Sequence, residues 1–502
     1  MPNIQNVLFI IADQFRSDCL GCTGNPVIQT PNLDQLAAEG VAFTNCFNQT
    51  APCGPSRAAI YTSRYLCSTR SLNNQTPLLD AEDNFGFALR QAGYLPGLIG
   101  YNDYAIDPAI LPDTHPRKTS LGYNNVLPGF ERVLYHEYDS EEYFESLRQK
   151  GYPEELLNHG AIHSPNVPPE GPGEHIPQYF PAKYKKEDSE CRFLTETAID
   201  YIKTKQAEQA SNRNAKGWML SLNYIKPHPP HICCEPYHRM YDPADMPAAA
   251  RRPEELTPTH PYLQLINGTA YQNEKHLREL MAIYYGMISE VDDNIGLLFD
   301  TLRETDQWNN TMIIFTSDHG EYLGDHYLTG KGQFYDGAIH IPYIVRDPSP
   351  EADVTRGQQI SGFVESIDSA PTILKFLGVE IPDRFQGHSL VEPLCREVDK
   401  TSKTEIHYEF DYRSSVLRRN PEADADKHLL WVVRDSDYKF VQFADEAMPP
   451  MLFDIKADAG EFENLADRPE HTATVLKYCQ KLLRWRMYNE DQRMEHWAQQ
   501  YR

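Results

Sequence analysis

The chain has 502 residues, of which 40% are hydrophobic and 24% charged, and its formal net charge is −25. This length predicts a large domain plus a smaller one, and no apolar run approaches the ~18 residues that span a bilayer. The negative charge argues against nucleic-acid and anionic-membrane partners. The apolar run at 7–12 has neither a basic segment before it nor a cleavage site after it, so we expect a cytoplasmic protein.

The first two hundred residues alternate short apolar runs with helical patterns, which is typical of a parallel sheet covered by helices. A strand is predicted at 6–12, continuously apolar because both of its faces are buried. A helix is predicted at 30–40, with Thr30 as N-cap and Gly40 as the C-terminal stop. The other elements of this alternation are strands at 94–100 and 217–225 and helices at 84–92 and 190–205.

The segment "CGPSRAAIYTSR" begins at Cys53 and predicts a helix. Proline is favoured at the first helical position, so Pro55 predicts a helix start that leaves Cys53 beside unpaired backbone N–H groups. These groups and the helix dipole attract anions. Arg57 lies one turn inside the helix, and we therefore predict an anion-binding pocket at Cys53.

The remainder of the chain predicts an insertion and a second, smaller sheet. Residues 107–183 are rich in Pro, Gly and Tyr and weakly periodic, which indicates an irregular insertion or lid. We divide the chain into a catalytic α/β domain at 1–399 and an α+β subdomain at 400–502. The elements predicted after residue 183 are a long helix at 273–305, a strand at 311–320, short antiparallel strands at 404–412, 428–435, 438–444 and 450–455, and a closing helix from about 468.

Polar residues follow two of the predicted strands. Asp13 follows the first strand, and Asp318 and His319 lie at the end of the strand at 311–320. The carboxyl ends of parallel strands meet at one crevice, so these side chains should converge. Carboxylate oxygens and imidazole bind divalent cations, and the amide oxygen of Gln14 is a possible fourth ligand. Each Asp alone could instead cap a helix, but together with "CGPSR" they predict a metal site.

Several of these motifs resemble those of a known family. "CGPSRAAIYTSR" resembles the sulfatase signature C-x-P-S-R followed by T-G-R, with Ser63 in place of the usual Gly. "FIIADQFRSD", "YIKPHPPH" and "TSDHGEYLGDHYLTGKG" are similar to the metal and substrate segments of the sulfatase and phosphonate monoester hydrolase branch of the alkaline phosphatase superfamily. "LFDIKADAGEFENLAD" is similar to the segment that closes the smaller domain of these enzymes. The resemblance implies a large mixed, mostly parallel sheet flanked by helices, plus a smaller C-terminal antiparallel sheet with a covering helix.

The resemblance also implies that Cys53 is oxidised to formylglycine by dedicated cellular machinery, and that it contacts one divalent metal ion, calcium or manganese before magnesium. The hydrated aldehyde carries two hydroxyl groups. One attacks sulfur or phosphorus to form a covalent intermediate, and loss of the other hydroxyl's proton then expels sulfate or phosphonate.

Other roles follow from the same resemblance. Arg57 would orient the formylglycine and offset charge. His228 and Lys331 would contact the transferred group or protonate the leaving oxygen, although His228 alone could be a turn-packing histidine. Asn74 and Tyr101 match substrate-binding positions, and Asp103 stands where the phosphonate monoester hydrolases usually have a small hydroxyl residue.

Two departures bear on the substrate. Many sulfatases have G-K-x-H where this chain has Gly100 to Asp103, so two cations are missing, and Gln14 replaces an acid. An ionised Asp103 near the substrate would disfavour dianions, whereas an outward-pointing Asp103 would not. We expect hydrolysis of small anionic sulfate esters, such as aryl sulfates, by a homo-oligomer, either dimer or tetramer. The alternatives are a phosphonate monoester or phosphodiester hydrolase, a phosphatase with an alkoxide nucleophile, and a catalytically silent binding protein.

Overall fold

The computed structural model describes residues 5–74, 76–78, 84–103, 126–212, 215–266, 271–396, 401 and 403–490. The strands are β1 (Asn6–Ala12), β2 (Val41–Phe47), β3 (Gly97–Gly100), β4 (Glu131–Tyr135), β5 (Met219–Tyr224), β6 (Thr311–Thr316), β7 (His340–Ile341), β8 (Tyr343–Arg346), β9 (Gln358–Glu365), β10 (Glu405–Asp411), β11 (Leu429–Asp435), β12 (Tyr438–Phe443) and β13 (Met451–Asp454). The helices are α1 (Pro31–Ala38), α2 (Cys53–Thr62), α3 (Leu66–Thr69), α4 (Phe85–Gln91), α5 (Glu141–Gln149), α6 (His159–Ile162), α7 (Glu190–Ser211), α8 (Pro261–Ile266), α9 (Glu274–Glu304), α10 (Asp336–Ile339), α11 (Ser369–Phe376), α12 (Val391–Leu394), α13 (Arg413–Arg419) and α14 (Thr472–Tyr488).

The described residues form a nine-stranded mixed sheet in the order β4-β3-β5-β1-β6-β8-β2-β7, with β9 paired to β2. The five adjacent strands β4, β3, β5, β1 and β6 are parallel, whereas β8 runs antiparallel to both of its neighbours, β6 and β2. Ile11 of β1 lies opposite Asn223 of β5 and Thr316 of β6, so these three strands end side by side. The predicted architecture is confirmed.

Helices cover both faces of this sheet, and the central strand shows why. All of β1 is buried, and its side chains alternate between two apolar layers. Leu8 and Ile10 pack in the layer of α1, α7 and α9, while Phe9 and Ile11 pack in the layer of α2, α4 and α11. A strand buried on both faces is continuously apolar, as the sequence predicts.

A separate four-stranded antiparallel sheet follows in the order β10-β11-β12-β13. One face packs under α14 through Phe440, Leu452 and Tyr478. Tyr408 of β10 lies in a different apolar cluster with Phe47 of β2, which joins the small sheet to the large one. The domain boundary near residue 400 stays a prediction, because 397–400 and 402 lie outside the described residues.

Three local expectations differ from the structure. The predicted irregular insertion contains a strand, β4, and a helix, α5, within its described part; β4 is an edge strand with only two buried residues, so its periodicity is weak. Helix α2 begins at Cys53 rather than at Pro55. Thr30 is the N-cap of α1 without a side-chain capping bond, and Glu39 rather than Gly40 ends that helix.

Gly40 has a packing role instead. A Cβ at this position would lie 2.4 Å from the carbonyl oxygen of Val345 in β8, so the close approach of the chain requires glycine. Within the described ranges, no helix combines the length and apolar character needed to cross a bilayer. All ten cysteines are free thiols.

Candidate active site

A hydrogen bond joins the loop after α3 to the start of α2. The backbone N–H of Gly54 donates to Oδ1 of Asn74 at 2.9 Å. A Cβ at Gly54 would lie 3.0 Å from Cα of Asn74, so the absence of a side chain lets the two segments approach. Asn74, predicted to bind substrate, therefore satisfies one of the helix N–H groups that the sequence analysis left unpaired.

The convergence of polar residues at the strand ends is confirmed. Asp13, Cys53, Asp318 and His319 are buried, and each offers a ligand atom within 4.8 Å of the other three. Cys53 Sγ lies 3.2 Å from His319 Nε2 and 3.9 Å from Asp13 Oδ1. His319 Nδ1 donates to the carbonyl of Gly320 at 3.0 Å, which leaves the Nε2 lone pair facing the group.

The charges of this group fit a divalent cation. Burial raises the pKa of Asp13, but His228, Lys331, His319 and Arg57 outweigh burial and hold that pKa well below its usual range. Burial and the neighbouring Asp13 charge raise the pKa of Asp318. Two carboxylates at this spacing repel, and burial lowers the pKa of His319 so that its imidazole is neutral. Carboxylate oxygens and a neutral imidazole are ligands for a divalent metal.

Arg57 holds the two carboxylates in position. Its side chain is fully buried, Nε donates to Asp318 Oδ2 at 2.9 Å, and a terminal nitrogen donates to Asp13 Oδ2 at 3.1 Å. The other terminal nitrogen donates to Asn223 Oδ1 at 2.9 Å and to the carbonyl of Tyr101 at 3.0 Å. All of these partners fix the guanidinium, so Arg57 organises the carboxylates.

Tyr101 and Asn223 complete the cage around Arg57. The ring of Tyr101 lies 4.0 Å from the Arg57 guanidinium carbon, a cation–π contact, so Tyr101 braces Arg57 from within the fold. The sequence analysis missed Asn223. Its signal was available, since Asn223 is a polar residue near the carboxyl end of a predicted buried strand, as Asp13 is.

Lys331 and Gln14 lie on another side of the group. Lys331 Nζ donates to Gln14 Oε1 at 2.9 Å, so the amide oxygen predicted as a metal ligand accepts from Lys331 in this structure. Gln14 Nε2 contacts the Glu321 carboxylate, a residue that the quoted motif contains but the sequence analysis did not select. Burial lowers the pKa of Lys331, but Cys53, Asp13 and Asp318 outweigh burial and raise it above its usual value. Lys331 therefore remains a cation.

His228 is a neutral imidazole in this environment. Its Nδ1 donates to the carbonyl of Pro229 at 2.7 Å. Burial lowers the pKa of His228 to about 4, although the charge of Asp13 opposes that shift. Of the two groups predicted to protonate the leaving oxygen, Lys331 is the one that carries a proton at neutral pH.

Asp103 lies at a small cavity that Gly54 and Arg57 also line. It is 6% exposed, and its backbone has a φ of 53°, in the left-handed region. Burial raises the pKa of Asp103 to about 8, and the charge of Arg57 opposes the shift. Asp103 is therefore mostly uncharged at pH 7, so repulsion of dianions by this residue requires alkaline conditions.

The comparisons with known proteins agree with this geometry. The sequence profile described as "Sulfatase" matches residues 5–379. The chain belongs to the sulfatase family. A second profile, described as "N-sulphoglucosamine sulphohydrolase, C-terminal", matches residues 324–488. The family resemblance and the ester-hydrolase class inferred from the motifs are confirmed.

Individual relatives cover nearly the whole chain. The "Multifunctional alkaline phosphatase superfamily protein PehA" of Trinickia caryophylli is 38% identical, over 98% of this chain and 97% of that protein. An arylsulfatase of Clostridium perfringens is 26% identical, over 95% and 93%. The crystal structure of a phosphonate monoester hydrolase of Agrobacterium radiobacter superposes with a TM-score of 0.87 at 34% identity, covering 97% of this chain and 96% of that one. The fold is thus the alkaline-phosphatase-like fold of sulfatases.

Proposed function

We propose that this sulfatase-family chain hydrolyses small monoanionic esters, with phosphonate monoesters and phosphodiesters ahead of sulfate monoesters. The observation that carries the proposal is the buried group of Asp13, Cys53, Asp318 and His319 with Arg57 and Lys331 against it. A nucleophile position between metal ligands and a lysine suits an anionic group undergoing transfer.

The metal and the modified cysteine have defined places in this proposal. A divalent cation, calcium or manganese, held by Asp13, Asp318, His319 and the side chain at position 53 would neutralise substrate oxygens and acidify the nucleophile. Formylglycine derived from Cys53 would supply the attacking hydroxyl. Burial and the Asp13 charge raise the pKa of the encoded Cys53 thiol well above its usual value, so the unmodified side chain is a poor nucleophile.

Three residues around this group have separate roles in binding and proton transfer. Arg57 holds the carboxylates of Asp13 and Asp318 in position through two charge-assisted hydrogen bonds. Lys331 keeps its proton beside Cys53, where it attracts the anion and donates to the oxygen on which charge develops. His228, neutral with its Nδ1 fixed on Pro229, positions the substrate through Nε2 without supplying a proton.

The preference for phosphonate monoesters over sulfates rests on the end of β3. A sulfate monoester presents three non-bridging oxygens to be satisfied, whereas a phosphonate monoester presents two and a carbon substituent. The two cations of the G-K-x-H pattern are absent. The sequence analysis placed sulfate first; we reverse the order because these cations are missing and because of the names of the 38% and 34% identical relatives.

Sulfate ester hydrolysis is the second candidate, favoured by the sulfatase profile across residues 5–379. The test is a panel of substrates with one aryl leaving group: phosphonate monoester, phosphodiester, sulfate monoester and phosphate monoester. We expect kcat/KM to decrease in that order at pH 7, with Cys53→Ala as the background control. If kcat/KM is highest for the phosphate monoester, the proposal is contradicted. If it is highest for the sulfate monoester, sulfate esters become the preferred substrates.

A further inference from the structure

A second cluster of histidine and carboxylate lies between β4 and α7. His159 begins α6, His163 follows that helix directly, and Glu190 is the first residue of α7. One ligand atom of each of these three residues lies within 4.8 Å of the other two. His163 and Glu190 are buried, whereas the His159 side chain is 16% exposed and gives access from solvent.

The tautomer of His163 follows from its hydrogen bond. His163 Nδ1 lies 2.9 Å from the carbonyl oxygen of His159, and because a carbonyl only accepts, Nδ1 carries the proton. In the neutral ring this leaves a bare lone pair on Nε2, which lies 3.0 Å from Glu190 Oε2. Two atoms with lone pairs at that distance repel each other unless a proton or a cation lies between them.

A hydrogen bond does not account for that contact. His163 Nε2 is buried and has no hydrogen-bond partner of suitable geometry in the described chain. His159 Nδ1 is likewise buried and unpartnered, 3.9 Å from Glu190 Oε1.

The carboxylate has an outer partner of the kind that metal ligands use. His136 Nε2 donates to Glu190 Oε1 at 3.1 Å, and both side chains are buried. Such hydrogen bonds orient a ligating carboxylate and raise metal affinity. Spacing of four residues between two histidines at a helix puts both rings on one side, as in known zinc sites.

We infer that His159, His163 and Glu190 form a second divalent metal site of the zinc type, with His136 as the residue that positions the carboxylate. Imidazole nitrogen and glutamate oxygen are zinc ligands. The ion ties α6 to the first turn of α7. This inference is independent of the proposed function.

An aromatic ring packs against the second cluster. The ring of Tyr138 lies edge-on against His159, with centroids 4.8 Å apart. An ion at the second site therefore holds His159 against Tyr138 and Glu190 against His136.

The test is a zinc titration of the full-length protein after chelation. His163→Asn keeps an amide donor near the Nδ1 position and removes the Nε2 ligand, and His159→Gln removes the Nδ1 ligand. We expect the wild type to bind one zinc ion more than either variant by elemental analysis. Asp318→Asn, in the active site, should retain this ion. Equal zinc content in the wild type and both variants, with matching circular dichroism, overturns the site.

Two further measurements cover variants that fail to fold. X-ray absorption at the zinc edge of the Asp318→Asn protein should show imidazole scattering from two ligands, and a spectrum without imidazole overturns the site. For the positioning role, His136→Phe should weaken zinc binding about 10–100-fold, and His136→Gln, which keeps a donor, should restore it. Equal affinity in both His136 variants removes the role of His136.

Discussion

The two histidine–carboxylate clusters of this molecule differ in their surroundings. The cluster around Cys53, at which we propose catalysis, lies at the ends of buried strands, with Arg57 and Lys331 against it. At the second cluster, His136 donates to Glu190, and His159 and His163 face the same carboxylate. Arg and Lys side chains beside metal ligands create a site that also binds an anionic substrate. Histidines and a carboxylate without such cations create a site that binds only the metal ion. Chemistry is therefore expected at the first cluster only.

Replacing Cys53 should have the largest effect. Cys53→Ala removes the nucleophile position and should lower kcat/KM by at least about 10⁴-fold, as loss of a catalytic nucleophile does. Zinc at the second cluster should remain, since its ligands lie elsewhere. Steady-state rates and zinc content of the same preparation check both statements. Substantial turnover by Cys53→Ala would move the nucleophile away from position 53.

Asp318→Asn should have the second largest effect on kcat/KM, and it should disturb the cluster around Cys53 without disturbing the second cluster. The change removes a metal ligand and a partner of Arg57, and a Lewis acid is worth several kcal/mol, so we expect a loss of about 10³-fold in kcat/KM. The variant should lose the catalytic metal. His159→Gln is the matched control and should keep that metal. If the calcium and manganese contents of Asp318→Asn equal those of the wild type, the ligand assignment is wrong.

Replacing Lys331 should lower kcat more than replacing His228 does. Lys331→Met removes the one of these two groups that is protonated at neutral pH and should lower kcat by about 10²–10³-fold, the usual effect of removing one donor to a developing oxyanion. His228→Gln should cost less and act mainly on KM, since the pKa of His228 is about 4. Pre-steady-state and steady-state rates with poor and good leaving groups distinguish them. A larger kcat loss in His228→Gln assigns the proton donor to His228.

Asp103 should produce the smallest effect, visible only in alkaline solution. With its pKa at about 8, the carboxyl group is mostly neutral at pH 7 and charged at pH 9, where it repels an anionic ester. Since one pH unit above the pKa leaves about a tenth of the group protonated, kcat/KM should fall about tenfold from pH 7 to pH 9. The profile of Asp103→Asn should lack that fall. If kcat/KM depends on pH in the same way in the wild type and in Asp103→Asn, the charge of Asp103 does not act on the ester.

The sequence predicted the convergence of the residues around Cys53 because each part carries a local signal. Asp13 and His319 follow strands whose apolar runs are unmistakable, and parallel strands end at one edge. The partners of the predicted residues were harder to assign. Asn74 and Tyr101 turn toward Gly54 and Arg57, and only three-dimensional packing shows that.

The second cluster was not predicted at all. Its residues come from a segment of weak periodicity, where an edge strand and short helices leave little pattern in the sequence. The spacing of His159 and His163 is a local signal, but Glu190 lies at the start of a separate helix. Bringing the three together depends on how α6 packs against α7, which spacing along the chain does not encode.

Turnover should depend on conversion of Cys53 to formylglycine. The direct measurement is mass spectrometry of the peptide containing Cys53, paired with kcat on the aryl phosphonate monoester, in preparations made with graded amounts of the modifying machinery. We predict that kcat rises in proportion to the converted fraction and extrapolates to zero when none is converted. Full turnover in a preparation whose Cys53 is entirely an unmodified thiol would show that the nucleophile is not formylglycine.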